Sequence, residues 1–302
     1  MPKHIKLAVL GGDMRQISVT EELSRCGFTT ELWGVDKDFC ASADVCLRDE
    51  WNEVIDGCDA LILPLPVSAD GVRVNCPLLS DSAGVKLSKL LDLIAKETLI
   101  LGGKFSPSLK LMTSDKGFRY IDYFLREEFQ IKNAVPTAEG ALALAMNELP
   151  ITLSGAKTAI IGYGRIGKIL AAKLKALNAE VTVVARKTTD LALAQSVGLD
   201  TLHLVMDGEK NSLEALTVGF DVIFNTVPAW VMDQKIVDMM SRETLIIDLA
   251  SAPGGIDIHA AKERGLKVIW ALSLPGKSSP YTAGKIIAQT IVQILTEEGI
   301  LT

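Results

Sequence analysis

Six consecutive residues, Gly162-Tyr163-Gly164-Arg165-Ile166-Gly167, have the types and spacing needed to hold a dinucleotide pyrophosphate. They lie between an apolar run, Thr158-Ala159-Ile160-Ile161, and a helical pattern that begins at Ile166. In that setting the first glycine permits a tight turn. The second lets backbone N–H groups reach the phosphates, and the third lets the helix pack on the strand. The helix dipole and its unpaired N–H groups then hold the negative charge. An apolar stripe at Ile166, Ile169, Leu170, Leu174 and Leu177 carries the helix, and Glu180–Ala185 reads as the next parallel strand. An NAD enzyme places Asp or Glu at the end of that strand, on the ribose 2′-OH. This chain has Arg186-Lys187-Thr188 there. A guanidinium can fork onto a 2′-phosphate that a carboxylate would repel, so the pattern reads as NADP; a solvated basic turn is the alternative.

Ligands of open α/β sheets sit beyond the carboxyl ends of the strands. Those ends supply Asn225-Thr226-Val227, then Asp248 and Ser251, then Leu272, expected to line the nicotinamide half of the groove; as turn formers they could equally just end strands. Substrate contacts are expected from polar loop residues facing an interdomain cleft: Asp13, Arg15, Lys104, Ser106, Arg119, Glu139 and Lys277, with surface solvation as the alternative. The three histidines, His4, His203 and His259, follow no metal-ligand spacing, and none is an evident dehydrogenase base. The catalytic proton carrier is therefore not assigned, and no metal is expected. There is no G-x-S-x-G elbow for acyl transfer.

The elements that must position these residues form an α/β chain of two Rossmann-like domains. Residues 1–134 read as a substrate domain with a linker helix. Its strands are Ile5–Leu10, Phe28–Trp33, the run from Ala60 and Thr98–Gly102. Its Gly11-Gly12-Asp13 turn lacks the full fingerprint, so it is expected not to hold the dinucleotide. Lys116–Phe129 reads as an amphipathic helix, and a second helix is expected from Pro136, with Thr137 as a candidate N-cap. Residues 135–302 read as the NADP domain, a doubly wound parallel sheet with strands near Lys157, Val181, Thr201, Asp221, Thr244 and Lys267. The last helix, 285–302, carries Ile286, Ile287, Thr290, Ile291, Ile294 and Leu295 as a stripe that can pack back on the first domain.

The 302 residues suit two cores, with 48% apolar and 23% charged residues. Lys and Arg number 31 against 37 acidic residues, a net charge of −6 that argues against nucleic-acid or acidic-membrane binding. No apolar run approaches a membrane span, and the opening segment is too short for a signal peptide. The odd count of five cysteines, with no C-x-x-C, points to reduced thiols in a cytoplasmic protein.

Five ordered motifs together resemble the dipicolinate synthase A-subunit family. They are Gly11-Gly12-Asp13-x-Arg15-Gln16, Pro136-Thr137-x-Glu139-Gly140, the glycine fingerprint, Asp248-Leu249-Ala250-Ser251-x-Pro253-Gly254-Gly255, and Leu274-Pro275-Gly276-Lys277-x-x-Pro280-x-Thr282-Ala283-Gly284. The match spans essentially the whole chain, with local departures at Ala252 and Tyr281, where the family usually carries cations. The resemblance implies an NADP-dependent oxidoreductase that converts a dihydrodipicolinate-type ring (4-hydroxy-tetrahydrodipicolinate) of the lysine pathway to pyridine-2,6-dicarboxylate. It also implies a flavoprotein-like second subunit, the B-subunit of dipicolinate synthase, and work in the mother cell of a sporulating bacterium. A homo-oligomer stays open. Two other readings of the residues are a D-2-hydroxyacid or alanine dehydrogenase-like enzyme and a non-catalytic NADP-binding subunit of a partner enzyme.

Overall fold

The computed structural model describes residues 4–40, 45–80, 84–207 and 210–301. The chain divides into two compact units: the residues up to Asn133 with those from Ser279 onward, and Ala134–Ser278. The two sheets share one parallel topology.

In unit 1 the chain runs β1 (Lys6–Leu10), α1 (Met14–Arg25), β2 (Thr29–Trp33), β3 (Cys46–Leu47), α2 (Trp51–Ile55) and β4 (Ala60–Ile62). It continues through α3 (Leu87–Leu93), β5 (Leu99–Gly102), α4 (Pro107–Asp115), β6 (Tyr120–Asp122) and into α5 (Glu127–Glu148). The strand order is β3-β2-β1-β4-β5-β6. β1, central and covered on both faces, is buried from Leu7 onward, as a continuous apolar run in a parallel sheet should be.

Two departures from the sequence reading concern β6 and α5. The stretch Lys116–Phe129 is not a helix. Phe118 packs in the core on one face of the sheet, while Tyr123 and Phe129 pack in the core on the other. A helix would put Phe118 and Phe129 on one stripe; a strand and a turn divide them. The buried Asp122 carboxylate holds that turn, accepting N–H bonds from Lys104, Phe105 and Phe124. The following helix starts at Glu127 and runs through Pro136, so Thr137 is a buried interior residue and not an N-cap.

Unit 2 contains β7 (Lys157–Ile161), α6 (Arg165–Ala176), β8 (Glu180–Ala185), α7 (Thr188–Ser196) and β9 (Asp200–His203). A small hairpin of β10 (Met206–Asp207) and β11 (Lys210–Asn211) leads to β12 (Val222–Asn225), α8 (Gln234–Met239), β13 (Leu245–Asp248), α9 (Ile258–Arg264), β14 (Lys267–Trp270) and α10 (Leu274–Ser278). The order β14-β13-β12-β7-β8-β9 is a doubly wound sheet whose switch point lies between β7 and β12. The chain then returns to unit 1 as α11 (Pro280–Glu297). Its stripe Ile286, Ile287, Ile291, Ile294 and Leu295 is buried in the same core as Val19 and Leu23 of α1. The two helices approach closely because Gly284 has no side chain: a Cβ there would lie 2.4 Å from Arg15 O. Among the described residues, no helix is long and apolar enough to cross a membrane.

Candidate functional site

The glycine turn of unit 2 is built by exclusion. Gly162 has φ +98, and a Cβ on it would lie 2.4 Å from Thr226 Oγ1. Its N–H donates to Val184 O at 2.8 Å. Thr226 donates to Ile161 O from both N (2.8 Å) and Oγ1 (2.9 Å), tying the loop after β12 to the turn. A Cβ on Gly167 would lie 2.2 Å from Gly162 O, so α6 packs on the turn at backbone distance. Gly164, the N-cap of α6, would carry a Cβ with nothing within 4 Å. The turn is therefore tight on its protein side and open where the helix N-terminus points, which suits a phosphate. Arg165 lies exposed on the first turn of α6, and Ile166 packs partly buried against the core below.

From this turn a cavity of about 530 Å³ extends to the end of β8 and the loop after β12. Gly162, Tyr163, Arg186, Lys187 and Val227 all line it. Thr188 opens α7 beside them, exposed but outside that wall. Among the described residues, no side chain makes an ion pair or hydrogen bond with the Arg186 guanidinium or the Lys187 ammonium; the Arg186 carbonyl accepts from His203 Nε2 at 3.0 Å. Burial, and then the Asp190 charge, push the Tyr163 hydroxyl above its ordinary pKa. The volume and the apolar walls suit a cofactor of dinucleotide type. Asp190, Met206 and Trp230 also line this cavity and were missed from the sequence. Met206 and Trp230 are half-exposed large apolar residues, a property set by the fold that no sequence spacing marks.

Asn225 and Asp248, expected as cofactor contacts, have fully buried side chains and are not among the residues lining the cavity. Parallel pairing of β12 with β13 sets Asn225 beside Asp248. Asn225 Nδ2 donates to Asp248 Oδ1 at 2.8 Å and to Val227 O at 3.1 Å, while Asn225 Oδ1 accepts from Val227 N. Asp248 also accepts from Ala250 N and Gly255 N. The pair thus fixes the two loops beyond these strands, and its polar groups are already used. Ser251 and Leu272 sit exposed on the loops after β13 and β14, outside the cavity wall.

The substrate candidates divide. In unit 1 the Gly12 N–H donates to Asn75 O at 2.7 Å, and a Cβ on Gly11 would lie 2.6 Å from that oxygen. The segment Val74–Cys76 thus covers the turn where a phosphate would approach. Asp13 caps α1 by accepting from Arg15 N, and its carboxylate takes three guanidinium bonds, from Nε at 2.9 and 3.2 Å and from Nη2 at 2.8 Å. Arg15 Nη2 also donates to Leu65 O, so this buried side chain is held in one position. Lys104 adopts φ +59, uncommon for a side-chain-bearing residue, under the grip of Asp122, and its Nζ stands 4.8 Å from the Phe124 ring centroid. Gly103 N donates to Pro64 O, so the Lys104 and Arg15 loops both fasten to the segment after β4. Ser106 caps α4 through Leu109 N–H.

Arg119 and Glu139 are each engaged in an ion pair. Arg119 enters β6 from the opposite end of the sheet and pairs with Glu298. Glu139 is an exposed α5 residue paired with Lys173 at 2.8 Å. Lys277 lies exposed on α10, beyond the end of β14. Among the described residues, no cluster of three or more metal-ligating side chains occurs.

Comparison with known proteins bears on the whole chain. Residues 6–124 match the family of N-terminal domains of the dipicolinate synthase A-subunit. Residues 125–253 match the D-isomer specific 2-hydroxyacid dehydrogenase, NAD binding domain. The chain is 31% identical to the dipicolinate synthase A-subunit of Bacillus subtilis (strain 168), over 97% of its own length and 96% of the relative's. The crystal structure of the dipicolinate synthase A-subunit from Bacillus halodurans is similar, with a TM-score of 0.87 and 29% identity, covering 98% of this chain and 99% of that one. That of the corresponding dipicolinate synthase chain from Bacillus subtilis gives 0.84 and 30%, covering 98% and 97%.

Proposed function

The chain belongs to the dipicolinate synthase A-subunit family and is an oxidoreductase with a dinucleotide-binding Rossmann domain, and from that premise we propose that it uses NADP to oxidise a dihydrodipicolinate-type ring to pyridine-2,6-dicarboxylate. The observation that carries the cofactor choice is Arg186 and Lys187 on the cavity wall at the end of β8, with neither cation engaged by a carboxylate among the described residues. The substrate follows from the family and from the names of its relatives.

The bound nicotinamide supplies a hydride acceptor. The chain's part is to bind and orient. Gly162 and Gly167 bring backbone close, and the α6 N-terminus faces the open space at Gly164 to receive phosphate. Arg186 would hold the 2′-phosphate and Lys187 would add charge beside it. The Asn225–Asp248 pair keeps the loops beyond β12 and β13 in place. Arg15, fixed by Asp13 and Leu65 O, offers its guanidinium to a substrate carboxylate, with Lys104 as a second cation. The 4-hydroxy substrate first loses water to give the dihydro ring; loss of a hydride and a ring proton from that ring then completes the aromatic product, and aromatisation supplies the driving force. The reaction takes place beside a flavoprotein-like second subunit, in the cytoplasm of the mother cell of a sporulating bacterium.

The test is reduction of NADP+ by the purified chain with enzymatically generated 4-hydroxy-tetrahydrodipicolinate, with and without the second subunit. Reduction by the chain alone, weakened in Arg15→Ala while NADP affinity holds, is the expected result. No reduction with or without the partner would return the chain to a non-catalytic role.

A further inference from the structure

Unit 1 repeats the topology of unit 2, with β2 and β4 flanking β1 as β8 and β12 flank β7. In unit 2 the cavity lies at the ends of the first two strands and the loop after the fourth position in chain order. In unit 1 the corresponding turn is covered by Val74–Cys76, but the region beside it stays open. At the end of β2 a cavity of about 440 Å³ is walled by Trp33, Trp51, Arg73, Lys86 and Lys89, with Gly84 between them.

The walls are held in place. Trp33 Nε1 donates to Asp49 O at 3.1 Å, which locks the indole. Arg73 and Lys86 face each other across an antiparallel bridge, and Val74 N donates to Val85 O at 2.9 Å beside it. Arg73 Nη1 donates to Gly84 O at 2.9 Å, which orients the guanidinium and leaves its other N–H groups for a ligand. Lys89 Nζ stands 5.4 Å from the Trp51 ring centroid. Three cations and two indoles thus meet in one pocket of a chain whose net charge is −6. Among the described residues, no carboxylate lines it.

We infer that this pocket binds a planar aromatic ring carrying acidic groups, its face against the indoles and its carboxylates or phosphate on Arg73, Lys86 and Lys89. Indole faces favour flat rings, and a guanidinium fork favours carboxylate or phosphate. Two sources share that chemistry: a heteroaromatic dicarboxylate and a purine mononucleotide. The inference goes beyond the proposed function and does not rest on it.

The experiment is a tryptophan-fluorescence titration of the full chain with pyridine-2,6-dicarboxylate, with adenosine 5′-monophosphate, and with succinate as a non-aromatic control. A saturable change with either aromatic anion is expected, and little with succinate. It should shrink in Trp51→Phe, where Trp33 is the remaining indole of the pocket, and Kd should rise roughly 10- to 100-fold in Arg73→Gln and in Lys89→Gln, the loss of one charge-assisted bond. NADP+ binding should not change in any of these variants. Response to the dicarboxylate alone assigns one source, and to the mononucleotide alone the other. No saturable change up to millimolar concentrations overturns the inference. So does a change that survives Arg73→Gln and Lys89→Gln but is lost in Trp230→Phe, which would belong to the cavity of unit 2.

Discussion

Replacing Arg186 by Ala should separate the two nicotinamide dinucleotides. Arg186 follows the last residue of β8 and lines the unit 2 cavity. Among the described residues no carboxylate has to be released before it meets a phosphate, so a charge-assisted bond counts in full, about 1.5–3 kcal/mol. Ordering an exposed, rotamer-rich side chain costs about 0.5–1.5 kcal/mol, which places the net loss toward the lower end. Screening lowers it further, since the Debye length is only about 8 Å at physiological ionic strength. NADP affinity should therefore fall about tenfold at physiological salt and up to about 100-fold at low salt. NAD, which has no 2′-phosphate, should bind the variant as it binds the wild type. Calorimetric titrations of both proteins with both cofactors, at two salt concentrations, measure all of this. Equal affinity of the wild-type chain for NAD and NADP would refute the reasoning, as would an equal loss for both in the variant.

Gly164→Ala should leave thermal stability nearly unchanged, because its Cβ meets nothing within 4 Å, yet weaken cofactor binding by intruding where phosphate sits; Gly167→Ala, 2.2 Å from Gly162 O, should lower both, with about 1–3 kcal/mol lost in denaturant unfolding. Asp248→Ala strips Asn225 Nδ2, Ala250 N and Gly255 N of their acceptor and should cost about 2–5 kcal/mol, and a midpoint within experimental error of wild type would contradict the role given to that pair. Burial pushes the Cys58 thiol up to about 11 and the Cys76 thiol up to about 12. Both stay protonated in the folded chain while the unfolded thiols ionise near pH 9, so stability is full below that pH. It should fall from about pH 9 to about pH 11 by roughly 1.4 kcal/mol per pH unit per thiol, a slope that Cys76→Ala should reduce in denaturant melts.

The unit 2 sheet was legible because each signal was local. The glycine turn is contiguous, and every strand of the sheet but β9 holds a short apolar run. The cations at Arg186 and Lys187 were legible for the same reason, since they directly follow a strand. The loop-pinning pair of Asn225 with Asp248 was not legible, because strand ends carry two kinds of polar residue, those that face a ligand and those that pin the loops. Only the pairing of β12 with β13, which sets them side by side, tells the two apart. β6 was hidden because Phe118, Ile121, Phe124, Leu125 and Phe129 have helical spacing. Their division between two cores depends on the sheet they join, and Leu125 ends up exposed. The Arg15–Asp13–Leu65 arrangement joins residues 50 positions apart, and no spacing rule reaches that far.

The central claim is that this chain couples ring aromatisation to reduction of NADP. The most direct measurement is stoichiometry. The purified chain, with its second subunit present, is given 4-hydroxy-tetrahydrodipicolinate and NADP+, and pyridine-2,6-dicarboxylate and NADPH are quantified in the same reaction. The account predicts one NADPH for each dicarboxylate formed, with kcat/KM higher for NADP+ than for NAD+. Dicarboxylate produced without NADPH, or at the same rate when NADP+ is left out, would contradict it.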